Sequence, residues 1–289
     1  MLTHYYGTLA SIMTNGTYSV RVTEIGEFIQ HKQCERRFKL EINDRKLAKQ
    51  IPLGGRFFNP IDPVLQAAGK LKEDDLSKEL ETADFAYITQ RYYDPDHQPR
   101  PQYPTWNNFV EAMADLSGGK NAFSREVQVG SDIGQFHIEG RIDFILILWK
   151  DGHPRLRVIE AKASRKDKTY HRIQVTLYRI LLRQLIHDNP VFVSGQQIVP
   201  EEIECSVIRI NEKQNKMQSI LNTAPLGVLS QEETDINRLL SSEGPLVHII
   251  KSPLNDLDYR LEVKCDNCVF DTHCSVSYTH LTLPTTPYV

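Results

Sequence analysis

Two apolar, β-branched stretches, Phe136–Trp149 and Leu156–Ala163, flank the dipeptide Asp151-Gly152. Asp-Gly suits the centre of a two-residue hairpin turn, where both central residues take a positive φ. The pattern predicts two adjacent antiparallel strands, and Phe123–Val129, set off by Gly130–Gly134, reads as a third. A strongly apolar helix over about Lys168–His187 and a fourth strand at Ile203–Ile210 follow. Strand, strand, strand, helix, strand is the order of a mixed sheet covered by helices.

The region upstream reads differently. Ile25, Phe28, Ile29, Phe38 and Leu40 recur at helical spacing between Thr23 and Leu47, with Thr23 as the expected N-cap and Glu27 near the first turn. That pattern makes one long helix or two short ones. A Gly- and Pro-rich loop, Ile51–Pro63, leads into helical segments at Pro63–Thr82 and Trp106–Leu116. The first 120 residues are thus expected to be mainly helical.

Charges interrupt the two central strands. Alternation places Arg141, Asp143 and Ile145 on one face of the first strand and Ile142, Phe144 and Leu146 on the other. On the second, Leu156, Val158, Glu160 and Lys162 share a face, and the hairpin makes the two strands neighbours. Asp143 and Glu160 can then meet at one point. Two carboxylates with an open position suit a hard cation such as Mg2+ or Mn2+, which activates water and neutralises charge on a phosphodiester. Lys162 beside them could stabilise negative charge developing on phosphorus. The same residues could instead form ion pairs with Arg141 and Lys162 on a solvated sheet.

Five of the eleven residues from Lys162 to Arg172 are basic (Lys162, Arg165, Lys166, Lys168, Arg172) against the single acid Asp167, a local phosphate-binding patch or a solvated loop. Gln174 and Tyr178, four apart on the helix, lie on one face. They either reach the site or cap the edge of the core.

A chain of 289 residues, 40% hydrophobic and 25% charged, can bury a full core. Its net charge of -3 means that any contact with phosphates comes from local clusters. No run approaches the roughly 18 apolar residues of a membrane helix, and Met1–Met13 lacks a secretory signal, so the chain reads as cytoplasmic. Cys265, Cys268 and Cys274 form Cys-x2-Cys-x5-Cys, with Cys34 far upstream. By spacing alone the thiolates suit zinc or an iron-sulfur cluster, zinc being the commoner. Cys205 shares a strand face with Ile203 and Val207 and reads as a core residue. Arg36 and Arg37 beside Cys34 read as a solvated helix face or as further phosphate contacts. Residues 275–289 contain no Asp, Glu, Lys or Arg. They read as a non-native tail, translated adapter sequence at the end of a fragment.

In order and spacing, Gly140-Arg-Ile-Asp143, Ile159-Glu160-Ala161-Lys162 and Gln174 with Tyr178 resemble the RecB-like branch of the PD-(D/E)XK nuclease superfamily, over roughly residues 123–210. The resemblance implies an α/β, restriction-endonuclease-like mixed sheet flanked by helices. It further implies metal held by Asp143 and Glu160, assistance by Lys162, and Gln174 and Tyr178 on the helix beside the site. The implied activity is metal-dependent hydrolysis of DNA, single-stranded or at ends, in repair, recombination or foreign-DNA processing, with a helicase domain or subunit as a conceivable partner. The cysteines resemble those of AddB-type and CRISPR-associated exonucleases, which implies a structural [4Fe-4S] cluster on Cys34, Cys265, Cys268 and Cys274. On this reading residues 1–120 are the helical N-terminal part carrying Cys34, 121–215 the nuclease core, and 216–274 a helical C-terminal part with the cysteine cluster.

The chain departs from this branch at its upstream Gly-x-x-His-Glu motif. Gly69-Lys-Leu-Lys72-Glu73 is the counterpart, and a protonated Lys72 cannot take the histidine's place as a metal ligand. A DNA-binding or scaffold module with weakened or lost turnover is therefore the alternative function.

Overall fold

The computed structural model describes residues 13–14, 17–43, 45–51, 63–89, 102–162, 164, 166, 168–211, 216–258 and 260–275. In chain order its principal elements begin with β1 (Met13–Thr14), β2 (Thr17–Arg21), α1 (Val22–Gln30), α2 (Glu35–Phe38), a π turn (Lys39–Asn43), α3 (Arg45–Gln50) and α4 (Pro63–Thr82). Next come β3 (Ala86–Thr89), α5 (Trp106–Ala114), β4 (Ala122–Ile133), β5 (Phe136–Lys150), β6 (His153–Lys162) and α6 (Thr169–Asp188). The short pair β7 (Phe192–Val193) and β8 (Gln196–Gln197) precedes β9 (Glu204–Asn211), β10 (Lys216–Met217), α7 (Ser230–Leu240) and α8 (Pro245–Lys251). The fold is the expected mixed sheet flanked by helices.

The hairpins carry the architecture. Asp151 and Gly152 have φ of 52° and 81° between the paired residues Lys150 and His153, the signature of a type I′ turn. Gly134, at φ 60°, turns β4 into β5 between the paired Ile133 and Phe136, so Gly130 lies inside a strand rather than between strands. Strand β5 runs antiparallel to both β4 and β6. Strand β9 runs parallel to β6, which requires a crossover, and α6 lies on it. Strands β1, β2, β5, β6, β9 and β10 follow in order across an eight-stranded sheet, with β4 on the other edge of β5 and β3 beyond it.

Helices α1, α5, α6, α7 and α8 bury their apolar residues in the main core, with Ile25, Phe109, Leu177, Ile236 and Ile249 all below 1% exposed. Leu76 and Leu80 of α4 cover a second core with Phe123, Phe144, Leu146, Ile159 and Ile208. A third joins the ends of the described chain, packing Leu40, Ala48 and Ile51 on Phe270. No helix among the described residues is long and apolar enough to cross a membrane.

Two expectations are corrected, and of one long helix or two short ones the chain forms the short ones. Helix α1 begins after Arg21, whose backbone N–H donates to the Glu24 carboxylate at 2.8 Å, so Thr23 lies inside the first turn and is not the cap. Lys32 and Gln33, with φ of 53° and 59°, then break the helical run, because consecutive left-handed residues cannot continue a right-handed helix. The mainly helical upstream region also contributes β2 and β3, both too short to display a two-residue period. Of the loop read at Ile51–Pro63, residues 52–62 lie outside the described residues, as do residues 276–289 of the tail.

Arg36 and Arg37 are not a solvated face. Both are largely buried, with Arg37 at 2.7 Å from Glu41, 3.9 Å from Glu27 and 3.8 Å from the Cys268 sulfur. Lys39 donates to the Ile250 carbonyl at 2.8 Å and ties the same segment to α8. Burial pushes the Glu41 carboxyl up to about 8 although Arg37 pulls it down. A carboxyl that binds its proton more tightly when folded stabilises most below its ordinary value of 4.5, and that contribution is lost as pH rises through about 8. Thermal unfolding across pH 4 to 9 is expected to show this decline in the wild type and a flatter profile in Glu41→Gln.

Candidate active site

On one edge, β5 pairs with β2 from Phe136 to Glu139 and with β6 from Phe144 to Lys150. Residues 140–143 lie between these two ladders. On the other edge β4 pairs Arg125 with Phe144 and Val127 with Ile142, and Glu126 between them has φ of 54°. The pleat is rotated at this point: Ile142 and Ile145, which strict alternation puts on opposite faces, both enter the main core, whereas Phe144 and Leu146 enter the second. The expected face shared by Arg141, Asp143 and Ile145 is therefore wrong, and Asp143 stands where the period breaks.

Side chains satisfy the backbone groups that the gap exposes. Asp143 Oδ2 accepts the Ala161 N–H at 2.8 Å, and the Tyr178 hydroxyl donates to the Arg141 carbonyl at 2.8 Å. Glu160, buried at 4% exposure, is ion-paired through Oε1 with Lys162 Nζ. Its Oε2 is buried with no hydrogen-bond partner among the described residues. Close packing holds α6 over the site: a Cβ on Gly140 would lie 2.6 Å from the Tyr178 ring, and one on Gly26 of α1 2.8 Å from Gln174 Nε2. Gln174 is buried and its Oε1 also lacks a partner among the described residues.

The electrostatics follow from this crowding. Burial, and then the Glu160 carboxylate, hold Asp143 well above the usual carboxylate range, against the pull of Lys162 and the Ala161 amide. Burial opposes the Lys162 ammonium, but Glu160 and Asp143 outweigh it and raise its pKa. Burial and the same two carboxylates raise Tyr178. A buried Glu160 and a half-buried Asp143 repelling each other, with one oxygen of Glu160 orphaned and Asp143 Oδ1 making no hydrogen bond among the described residues, suit a hard divalent cation. Among the described residues no group of three or more His, Cys, Asp or Glu side chains is arranged to hold a metal, so the donor set here is these two carboxylates.

Other expected residues fall elsewhere. Arg172 pairs with Glu232 of α7 at 2.5 Å, which removes it from the basic patch, and Arg165 lies outside the described residues. Lys166 and Lys168 are exposed. Helix α4, carrying Lys72, does lie beside the site: Glu73 and Asp74 grip Arg125 at 3.1 and 2.6 Å, and the Glu73 charge acts on Asp143. Arg125 and Glu126 escaped the sequence reading, although adjacent charges inside an otherwise apolar strand were a visible signal.

Cys34, Cys265, Cys268 and Cys274 line one void of about 30 Å³ beside a larger cavity of about 380 Å³. None of the four is in a disulfide. Burial raises Cys34 and pushes Cys274 up to about 11. Cys205 is apart from them in the core, donating to the Val175 carbonyl at 3.5 Å.

A family model described as the PD-(D/E)XK nuclease superfamily matches residues 30–275. The solved structure titled "Crystal structure of SSO0001" aligns with a TM-score of 0.42 at 17% identity, over 93% of this chain and 90% of that chain. No curated protein gives a significant match.

The packing of α6 on Gly140 makes a direct prediction. Gly140→Ala is expected to destabilise the protein by about 1–3 kcal/mol through overpacking, measured by urea unfolding, and to displace the Tyr178 ring. Tyr178→Phe, which leaves the Arg141 carbonyl without its donor, is expected to cost about 1–3 kcal/mol.

Proposed function

Because this chain belongs to the PD-(D/E)XK nuclease superfamily, we propose that it hydrolyses DNA phosphodiester bonds at Asp143, Glu160 and Lys162 in a Mg2+- or Mn2+-dependent reaction. The observation that carries this reading is the pair of carboxylates from neighbouring strands, Glu160 buried and Asp143 half-buried, each with an uncommitted oxygen, beside a lysine ammonium. A divalent ion there supplies Lewis acidity and lowers the pKa of water. Asp143 and Glu160 hold and orient that centre. Water adds to phosphorus and the bond to the leaving oxygen breaks, giving a phosphate on one strand end and a hydroxyl on the other. Lys162, ion-paired with Glu160 Oε1, stands beside the carboxylates, where its ammonium stabilises charge on the phosphoryl oxygens. Gln174 and Tyr178 position: Tyr178 fixes the backbone at Arg141, and the buried Gln174 amide lies over Gly26.

We assign the substrate as single-stranded DNA or DNA ends and the setting as cytoplasmic DNA repair, recombination or foreign-DNA processing, on the RecB-like order of motifs. For the four cysteines we favour a structural [4Fe-4S] cluster. The reading rests on their order in the sequence and on their shared lining of one void; no three of the described cysteines are arranged to hold a metal as they stand. Lys72 in place of a histidine favours one other reading, a DNA-binding module that has lost turnover.

Cleavage of single- and double-stranded DNA by anaerobically purified protein separates the two. Glu160→Ala is expected to abolish cutting, and Lys162→Ala to lower kcat on the order of 10²-fold or more, with the iron content of both equal to that of the wild type. Equal cleavage by wild type and Glu160→Ala would sink the site assignment. A wild type that never cuts in Mg2+ or Mn2+ would establish the binding module, and a colourless protein holding zinc without iron would replace the cluster.

A further inference from the structure

Arg141 stands two residues before Asp143 on β5 and has no part in the chemistry above. Its side chain is 45% exposed, yet it is held from several sides. The guanidinium carbon lies 4.1 Å from the centroid of the Tyr103 ring. Nη2 is 3.8 Å from Oε1 of Glu126, a carboxylate whose own side chain is only 8% exposed. Tyr178 fixes the Arg141 carbonyl.

Backbone pairing builds this arrangement. The Gln128 N–H donates to the Pro104 carbonyl at 2.8 Å, Thr105 bridges Gln128, and Gln128 is the β4 partner of Arg141. Tyr103 is thereby laid across the edge of β4 onto the guanidinium. Glu126 reaches Arg141 from the left-handed conformation at which the pleat rotates. A non-glycine residue keeps such a conformation only where its surroundings enforce it, and such residues gather at functional sites.

An arginine stacked on an aromatic ring and steadied by a buried acid has lost its freedom before any ligand arrives. It still presents donors to solvent, and its planar fork matches a phosphate. Two strand residues span about 7 Å, comparable to one step between phosphates of an extended strand. We propose that Arg141 binds a backbone phosphate of single-stranded DNA next to the scissile one. It thereby sets the register of the strand over Asp143 and Glu160, with Tyr103 and Glu126 as its positioning residues. The Tyr103–Arg141 stack offers a flat surface to an unpaired base, which favours a single strand over a duplex. This inference rests on the nuclease reading above.

The test is fluorescence anisotropy of a labelled single-stranded oligonucleotide with the full chain in Ca2+, alongside cleavage kinetics in Mn2+. Arg141→Ala is expected to weaken binding about tenfold and to reduce the slope of log K against log salt by about 0.7. KM is expected to rise about tenfold, kcat to change less than threefold, and Mn2+ affinity to stay at the wild-type value. Arg141→Lys should keep the salt slope and lose part of the affinity, and Glu126→Gln should weaken binding with the slope intact. Unchanged affinity and slope in Arg141→Ala, while the wild type cuts, overturn this inference alone. A parallel loss of Mn2+ affinity and thermal stability overturns it too, by showing a merely structural arginine. Equal dependence on Arg141 for a duplex of the same sequence overturns the single-strand assignment. A wild type that binds the oligonucleotide through Arg141 but never cuts it overturns the reaction and leaves the contact standing.

Discussion

Strand β5 shares one edge between β2 and β6, and the backbone in the gap between them must still find hydrogen-bond partners. A buried peptide group left unpaired costs about 1–3 kcal/mol, so the gap persists only because side chains close it. Asp143 takes the place of the missing ladder acceptor for Ala161, and Tyr178 that of the missing donor for Arg141. Both side chains at the candidate site are therefore parts of the sheet. The tight contacts at Gly140 and Gly26 follow, because α6 must approach closely for Tyr178 and Gln174 to reach that depth.

Two carboxylates crowded beside one ammonium leave a local excess of negative charge, which adds to burial in raising Asp143 and outweighs burial in raising Lys162. A divalent cation reverses that balance and leaves the site positive, as a phosphodiester requires. The surrounding ion pairs keep other charges in place: Arg125 is gripped by Glu73 and Asp74 on α4, and Arg172 by Glu232 on α7. Arg37, between Glu41 and Cys268, similarly links the cysteine segment to the rest of the N-terminal region.

The central hairpin and the crossover helix were legible because their signals are local. Asp151-Gly152 fixes a turn, and the apolar runs on either side fix two strands. Asp143, Glu160 and Lys162 were legible as charges inside those runs. The rotation of the pleat was not, because it depends on Glu126 adopting a left-handed conformation that nothing in its own residue type demands. The fate of Arg36, Arg37 and Arg172 was hidden for a related reason: a basic residue looks the same in sequence whether it meets solvent or a partner such as Glu41 or Glu232, which here lies in another element. Strands β2 and β3 exist because long neighbours template them, not because five or four residues declare a period.

The central claim is that the gap in the sheet makes Asp143 and Glu160 a cation site. Calorimetric titration of Mn2+ into the metal-free protein tests it most directly, with Asp143→Asn as the partner variant, because asparagine still accepts the Ala161 N–H but carries no charge. The wild type should bind Mn2+ with release of a proton, since a raised Asp143 must ionise to bind. The variant should lose that binding and unfold at a higher temperature than the wild type when both are metal-free. Equal Mn2+ affinity in the two proteins would contradict the claim.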